Sequence, residues 1–202
     1  MTPHAKVPRS RRVLILIDFI NPLDFPGAEK LAPGAVRAAR ATHRLRQRLD
    51  REKVAVVYAN DNYGIWQSDF HSLVAQCTAN DGPSGEIARL LTPRGTDITL
   101  LKPRHSAFFG SPLELLLDEM GAQQLVLTGV AADMCVQMTA ADAFLRNYEV
   151  WVPADCIAAE TPQARAGALK YMKDILRCDV RASSALTRAA APAKRSARGT
   201  RP

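Results

Sequence analysis

An uninterrupted aliphatic run, Val-Leu-Ile-Leu-Ile at residues 13–17, limits the chain to few architectures, and Asp18 follows it at once. A strand with one face in water alternates apolar and polar residues, whereas a strand that is covered on both faces is apolar throughout. The run therefore predicts a strand in the interior of a parallel sheet, with helices packed on both of its faces.

The rest of the chain alternates strand-like and helix-like segments. Residues 61–83 form a long polar and aromatic connection, of the kind that often lines a site. Alternation with short connections predicts an α/β domain over residues 12–185, a Rossmann-like three-layer sandwich with a six-stranded, mostly parallel sheet flanked by helices. Predicted strands lie at 13–18, 54–58, 97–101, 124–128, 149–152 and 179–182, and predicted helices at 35–52, directly after Pro33 and Gly34, and at 85–91, 113–120, 133–146 and 161–176.

The formal charge of +7 is concentrated at the two ends of the chain. Residues 1–12 carry four basic side chains and residues 188–202 carry five, without an acidic one, whereas residues 13–187 hold 18 basic and 20 acidic side chains. Low apolar content predicts that residues 1–11 and 186–202 are disordered basic tails. The domain itself is not basic, so nucleic-acid binding is not expected beyond weak, salt-dependent contacts of the tails, and a solubilising role is the simpler interpretation.

The cysteines and the apolar segments bear on the compartment. The four cysteines, at positions 77, 135, 156 and 178, form no CxxC pair, which argues against a zinc ribbon or a disulfide scaffold and favours a reducing cytoplasm. Val7 is the only bulky aliphatic residue between Met1 and Val13, so a signal peptide is not predicted. No apolar run approaches the roughly 18–20 residues that cross a bilayer. We expect a cytoplasmic protein that does not enter the membrane.

Three reactive side chains stand at the ends of predicted strands. Asp18 ends the first strand, Lys102 follows the third, and Cys135 begins the helix after the fourth. Ligands of open parallel sheets bind beyond the carboxyl ends of the strands, so an acid, an amine and a thiol are expected to meet at one edge. Each alone has an ordinary explanation as a turn residue, a solvated charge or a packing thiol, and the last is our interpretation of the other three cysteines.

The surroundings of Cys135 favour a nucleophile. Gly129 permits a sharp turn after the strand, and Asp133 is the predicted N-cap, which places Cys135 in the first helical turn. The helix dipole and the ammonium of Lys102 are expected to lower the pKa of the thiol. Backbone N–H groups of that turn could hold an oxyanion, and Asp18 could accept the thiol proton and pass it to a leaving amine.

Three ordered segments resemble the motifs of the isochorismatase-like cysteine hydrolase superfamily, and the resemblance extends over roughly residues 12–182. The resemblance implies that Asp18 is the base, Lys102 the electrostatic partner and Cys135 the nucleophile. It also implies a cis peptide between Val130 and Ala131, an oxyanion hole formed by the N–H groups of Ala131 and Cys135, and a homodimer or homotetramer. The segments are LILIDFIN at 14–21, KPRHSAFFGSPL at 102–113 and GVAADMCV at 129–136, with further matches at 140–143 and 153–155.

Departures from the superfamily pattern narrow the expected chemistry. Nicotinamidases of the superfamily carry an Asp-x-His element and a further His that together bind a divalent metal. Here Tyr63 stands in place of the first His, and Asp61 with His71 makes a poor site. Neither a metal nor a cofactor is therefore predicted, and nicotinamidase activity is not expected; a residual site near Asp61 and His71 stays open.

Retention of Cys135 favours acyl chemistry over vinyl-ether hydrolysis. The predicted activity is hydrolysis of a small amide or carbamoyl-type C–N bond through a thioester. A vinyl-ether or other non-amide hydrolase is the alternative on the same triad, and an inactive binding protein with basic tails is the alternative of another class. Buried aromatic side chains serve the core at least as often as a pocket. The candidate pocket residues are Phe19, Asn62, Tyr63, Trp66 and Phe108.

Overall fold

The computed structural model describes residues 7–67 and 69–185 of the 202-residue chain. A π-helical turn, Ala132–Val136, and 3-10 turns at Ala154–Cys156 and Ser183–Ala185 complete the regular elements of this part. The strands are β1 (Arg12–Ile17), β2 (Ala55–Asp61), β3 (Ile98–Lys102), β4 (Gln124–Val130), β5 (Glu149–Trp151) and β6 (Ile157–Ala158). The helices are α1 (Ala28–Asp50), α2 (Phe70–Thr78), α3 (Pro83–Leu90), α4 (Leu113–Met120), α5 (Gln137–Leu145) and α6 (Pro162–Asp174).

The strands form one sheet in the order β3-β2-β1-β4-β5, with β6 paired to the end of β4, and the pairs between these strands are parallel. In β1, Ile17 lies opposite Ala59 of β2 and Gly129 of β4. The order of the strands reverses between β1 and β4, so the carboxyl ends of these two strands flank the position where ligands bind in such sheets. The predicted six-stranded parallel α/β architecture is confirmed.

The sheet separates two hydrophobic cores. Successive side chains of β1 point to opposite faces, so Val13, Ile15 and Ile17 enter one core while Leu14 and Leu16 enter the other. Helices α4, α5 and α6 cover the first core and α1, α2 and α3 cover the second. This three-layer arrangement explains why the aliphatic run of β1 is uninterrupted.

The sixth strand is not where the sequence predicts it. Residues 179–182 contribute a single bridge, between Asp179 and Trp151, and the sixth strand is β6. Arg181 and Ala182 are exposed, and the guanidinium of Arg181 pairs with the carboxylate of Asp179. Val180 is partly buried against the first core, whereas the two residues after it are exposed, and the segment leaves β5 after one residue pair.

Helix α1 begins earlier than predicted and contains Pro33 and Gly34 in its second turn. Ala28 and Leu31 are buried, and this burial favours helix despite the hydrogen bond that proline cannot donate. Gly34 faces β6 closely, since a Cβ atom there would lie 3.1 Å from the Cβ of Ala158. The two residues therefore belong to a helix that packs tightly on the sheet.

The predicted connection at residues 61–83 contains helix α2. Asp69 caps it by accepting a hydrogen bond from the N–H of Ser72 at 2.9 Å. Phe70, Leu73 and Cys77 are buried at i, i+3 and i+7, which is the spacing of one helix face. The polar residues around this short pattern conceal it in the sequence.

The N-terminal segment packs on the domain from residue 7 onward. Val7 contacts the core under α4–α6, the N–H of Ser10 donates to the carbonyl of Met120 at 3.0 Å, and the Ser10 hydroxyl accepts from the N–H of Ala55 at 2.9 Å. Residues 7–11 thus differ from the disordered tail expected for them, because they have both an apolar and a hydrogen-bonded anchor. The other predicted tail residues, 1–6 and 186–202, lie outside the described residues. Within residues 7–67 and 69–185, no helix combines the length and apolarity needed to span a membrane.

Candidate active site

The ends of β1, β3 and β4 bring Asp18, Lys102 and Cys135 together. Asp18 follows β1, Lys102 is the last residue of β3, and Cys135 lies in the π-helical turn after β4. The Nζ atom of Lys102 lies 2.8 Å from Oδ2 of Asp18 and 3.7 Å from Sγ of Cys135. The thiol of Cys135 also contacts the Asp18 carboxyl group. The structure therefore places the three predicted side chains in one buried cluster at a single edge of the sheet.

Lys102 is the centre of this cluster and is completely buried. Besides Asp18 and Cys135, its ammonium reaches the carbonyl of Arg104 at 3.2 Å and Oδ2 of Asp61 at 3.5 Å. A buried ammonium needs such partners because it has lost its hydration. Lys102 therefore acts as the fixed cation around which the reactive groups are arranged.

Asp18 is held from the backbone as well. Its Oδ1 accepts a hydrogen bond from the N–H of Asp61 at 2.7 Å, and its own N–H donates to the carbonyl of Ala59 at 3.1 Å. The backbone at Asp18 is left-handed, with φ 52°, a conformation that aspartate tolerates better than most residues. This turn out of β1 aims the carboxylate at the ends of β2 and β3.

Protonation in the cluster differs from the sequence-based expectation. Burial raises the pKa of Cys135 well above its usual value, the Asp18 carboxylate raises it further, and Lys102 opposes this only in part. Burial also raises the pKa of Asp18 despite Lys102, whereas the pKa of Lys102 is raised because its anionic neighbours outweigh burial. The direction of the shift at Cys135 is therefore opposite to the expected lowering of the thiol pKa, because burial and Asp18 outweigh Lys102.

The turn that carries Cys135, the predicted nucleophile, departs from a regular helix start; we call it the nucleophile turn. Ala131, in extended backbone, precedes the turn, and its carbonyl accepts hydrogen bonds from the N–H groups of Met134 and Val136 at 3.1 and 3.2 Å. Asp133 is the second residue of the turn and not its N-cap, because the π-helical geometry moves the start to Ala131. Such π turns occur frequently at functional sites.

The link from β4 to this turn has two unusual peptides. Gly129 has φ 136°, and a Cβ atom there would lie 2.0 Å from the carbonyl oxygen of Ile17, so only glycine fits. The peptide between Val130 and Ala131 is cis, as the resemblance implies. Ala131 and Cys135, the residues predicted to supply oxyanion-hole N–H groups, are the N-cap and the fourth residue of one short turn.

His105 is a neighbour of Cys135 to which the sequence analysis assigned no role. Its Nδ1 atom lies 3.7 Å from Sγ of Cys135, and its side chain is exposed. The available signal was its position three residues after Lys102, within the segment that resembles the lysine motif. A spacing of three in a loop does not define a direction, so the contact depends on the path of the loop.

The predicted pocket residues divide into two groups. Phe19 and Phe108 are buried in opposite cores, and Phe108 stacks on Tyr148 with ring centroids 6.1 Å apart. Both rings therefore contribute to packing on the two sides of the sheet. Trp66, by contrast, is 77% exposed.

The turn after β2 carries the remaining predicted pocket residues. Asn62 is buried, its N–H donates to the carbonyl of Lys102 at 3.1 Å, and its Oδ1 accepts from the N–H of Gly64 at 2.9 Å. Tyr63 has φ 53° and is 42% exposed. Asn62 thus ties the turn to the residue that carries the central ammonium. The phenol of Tyr63 is close enough to Asp18 and Asp61 for burial and their charges to raise its pKa, whereas Trp66 is mostly exposed.

Asp61 and His71, the two residues considered for a metal site, lie in different surroundings. Asp61 accepts a hydrogen bond from the N–H of Tyr63 at 2.7 Å and faces Lys102, whereas His71 is exposed on α2. Among the residues that the structure describes, no group of three or more His, Cys, Asp or Glu side chains is arranged to hold a metal ion. A groove of about 580 Å³ between α1 and residues 155–165 contains none of the three reactive side chains, so the site is recognised by their convergence.

Comparisons with known proteins bear on the family to which the chain belongs. A family model described as the isochorismatase domain matches residues 12–183. YaaI of Bacillus subtilis, an uncharacterized isochorismatase family protein, is 31% identical over 172 residues, which are 85% of this chain and 94% of YaaI. Ureidoacrylate amidohydrolase RutB of Methylorubrum extorquens is 42% identical over 84 residues, which are 41% of this chain and 34% of RutB.

A solved structure extends the likeness to three dimensions. The crystal structure of N-carbamoylsarcosine amidase from Thermoplasma acidophilum superposes with a TM-score of 0.67 at 26% identity, covering 87% of this chain and 98% of the amidase. The match to the family model and the YaaI alignment each extend over nearly the whole described domain. On these grounds the chain belongs to the isochorismatase family.

Proposed function

We propose that this chain is a hydrolase of a small amide or carbamoyl-type C–N bond, and that Cys135 is its nucleophile. The observation that carries the proposal is the contact of one buried ammonium with both a carboxylate and a thiol, at 2.8 and 3.7 Å. A nucleophile, a proton acceptor and a fixed cation within reach of one another are the elements of nucleophilic acyl transfer. The names of two relatives, ureidoacrylate amidohydrolase and N-carbamoylsarcosine amidase, support the amide class.

Acylation begins with proton transfer from the Cys135 thiol to the Asp18 carboxylate. The raised pKa of Asp18, caused by burial, makes it a stronger base than an ordinary aspartate. Sulfur then attacks the carbonyl carbon, and the backbone N–H groups of Ala131 and Cys135 are proposed to stabilise the resulting oxyanion. Protonated Asp18 gives its proton to the leaving nitrogen, and a thioester with Cys135 remains.

Lys102 lowers the cost of moving charge between the two anions. When the proton passes from sulfur to Asp18, the negative charge passes from the carboxylate to the thiolate. Both atoms already lie beside the same ammonium, so the charge never leaves its counter-ion. Little reorganisation is needed, which is the condition under which a fixed charge accelerates a reaction.

The proposal includes the nature of the substrate, the assembly and the location of the protein. A small-molecule substrate, a homodimer or homotetramer, and a cytoplasmic location all stay predictions. Of the pocket candidates, Tyr63 and Trp66 are the ones whose rings are exposed enough to contact a substrate.

The test is an activity screen against small amides, ureas and carbamoyl compounds. Cys135→Ser serves as the blank, and Cys178→Ser, which changes a buried thiol outside the cluster, is the matched control. We expect release of amine or ammonia by the wild type and by the control, and an acyl adduct on Cys135 in the intact mass after acid quenching. Equal turnover by Cys135→Ser would refute the cysteine mechanism, and turnover of vinyl ethers without any amide would favour the alternative hydrolase.

A further inference from the structure

The sulfur of Cys135 lies between a buried cation and an exposed imidazole. Nζ of Lys102 and Nδ1 of His105 each lie 3.7 Å from Sγ, but Lys102 is fully buried whereas His105 is exposed. Lys102 and Asp18 therefore form the interior side of the sulfur, and His105 forms its side toward solvent. The sulfur can therefore exchange a proton with Asp18 on the interior side and with His105 on the solvent side.

The second half of a thioester mechanism needs a proton acceptor on the solvent side. The water that hydrolyses the thioester enters from solvent, and its proton must move as its oxygen attacks the carbonyl carbon. Asp18 lies on the interior side of the sulfur, where Lys102 at 2.8 Å and the N–H of Asp61 at 2.7 Å hold it away from the entering water. The imidazole beside the sulfur is better placed for this water, because a neutral imidazole has one ring nitrogen that accepts a proton.

We propose that His105 is a second proton carrier of this site, acting in hydrolysis of the thioester; the inference rests on the proposed function. Nδ1 of neutral His105 accepts a proton from the attacking water while the water oxygen bonds to the carbonyl carbon. The C–S bond then breaks, and the electron pair stays on sulfur as a thiolate beside the Lys102 ammonium. The imidazolium of His105 returns the proton to Sγ, so the thiol, the neutral imidazole and the free acid are formed in balance.

The loop that carries His105 is anchored on both sides of it. Before His105, the carbonyl of Arg104 accepts from the Lys102 ammonium at 3.2 Å. After it, the N–H of Ala107 donates to the hydroxyl of Thr139 at 3.0 Å, and that same hydroxyl donates to the carbonyl of Cys135 at 2.7 Å. The loop is thus connected to both the Lys102 ammonium and the nucleophile turn. These anchors keep the exposed imidazole of His105 close to the sulfur.

The experiment separates the two half-reactions with a chromogenic ester and with the best amide of the screen. In His105→Gln, we expect a burst of leaving group close to one equivalent with an acylation rate within about threefold of wild type. Hydrolysis of the thioester should fall about 10²-fold, the lower end for loss of a general base, and the acyl-enzyme should accumulate in the intact mass. His43→Gln, which alters a histidine on α1 that contacts the carbonyl of Leu90, should behave as wild type.

Chemical rescue gives a readout that a merely structural role would not move. In His105→Ala, free imidazole should restore thioester hydrolysis in a saturable manner, because the position is open to solvent. Unchanged thioester hydrolysis in His105→Gln, or an equal fall of both steps without accumulation of acyl-enzyme, would overturn the role of His105 alone. Absence of any acyl-enzyme on wild-type Cys135 would overturn the proposed function together with this inference.

Discussion

Replacement of Lys102 by methionine removes the cation of the cluster while keeping an unbranched side chain of similar length. Asp18, which is buried, then loses the ammonium at 2.8 Å and keeps the hydrogen bond from the N–H of Asp61. Loss of one partner from a buried ion pair typically costs about 3–5 kcal/mol, because the other charge stays desolvated. We expect the free energy of unfolding at pH 7.5 to fall by about this amount.

The loss should depend on pH in a definite direction. Burial holds the pKa of Asp18 in the folded protein above its unfolded value of about 3.9, and removal of Lys102, which lowers that pKa, widens the gap. A folded state that binds a proton more strongly than the unfolded state loses stability as pH rises between the two pKa values, by at most about 1.4 kcal/mol per pH unit. The free energy of unfolding of Lys102→Met should therefore be closest to that of wild type at low pH and furthest from it at neutral pH.

Urea unfolding at pH 5, 6 and 7.5 measures this difference, with the fluorescence of the buried Trp151 as the signal. The slope of the unfolding free energy against urea concentration should be the same in both proteins if their unfolded states are alike. Lys170→Met, which removes an exposed lysine that pairs with Asp174 one helical turn away, is the matched control and should leave the midpoint unchanged. A loss that is equal at all three pH values, or below about 1 kcal/mol throughout, would refute the reasoning from a desolvated Asp18.

Three further predictions concern the surroundings of the cluster. Iodoacetamide should label Cys135 before Cys77, Cys156 and Cys178, because Cys135 is the most accessible of the four, at 9% exposed, and has a proton acceptor beside it; peptide mass mapping checks this, and uniform labelling would contradict it. Gly129→Ala should cost at least ~2 kcal/mol of stability in thermal unfolding, because its Cβ would lie 2.0 Å from the Ile17 oxygen, whereas Gly95→Ala, with nothing within 4 Å, should be tolerated. Thr139→Val should cost about 1–3 kcal/mol in urea unfolding, since the N–H of Ala107 and the carbonyl of Cys135 lose their shared partner; an unchanged midpoint would show that this link is dispensable.

The sheet and the positions of the reactive residues could be predicted from local patterns. The run at residues 13–17 is apolar at every position because the strand contacts both cores. The absence of alternating polar residues therefore indicates burial on two faces. Once the strands are parallel, Asp18, Lys102 and the turn of Cys135 must share one edge of the sheet. The hydrophobic pattern of the chain thus predicts the fold class and the location of the site, because both depend on how whole strands align.

Elements with few apolar residues could not be predicted from the hydrophobic pattern. The two residues of β6 are too few for a period, and they form a strand only because β4 extends far enough to pair with them. Helix α2 buries three side chains in a polar surrounding, and Asp179 meets β5 at a single bridge. In each case the outcome depends on a neighbour that is distant in the chain.

Protonation and direct contacts also required the folded chain. The alignment of strands determines that a thiol and an ammonium share an edge, but the pKa of that thiol depends on how much water the packed site excludes and on which charge lies nearer. Burial and Asp18 outweigh Lys102 at Cys135, opposite to the order that the residue types alone suggest. The position of His105 depends likewise on a loop held by Thr139 and Lys102. A sequence specifies which groups are present at an edge, whereas desolvation and loop path, which are sums over many distant contacts, specify their charge and their partners.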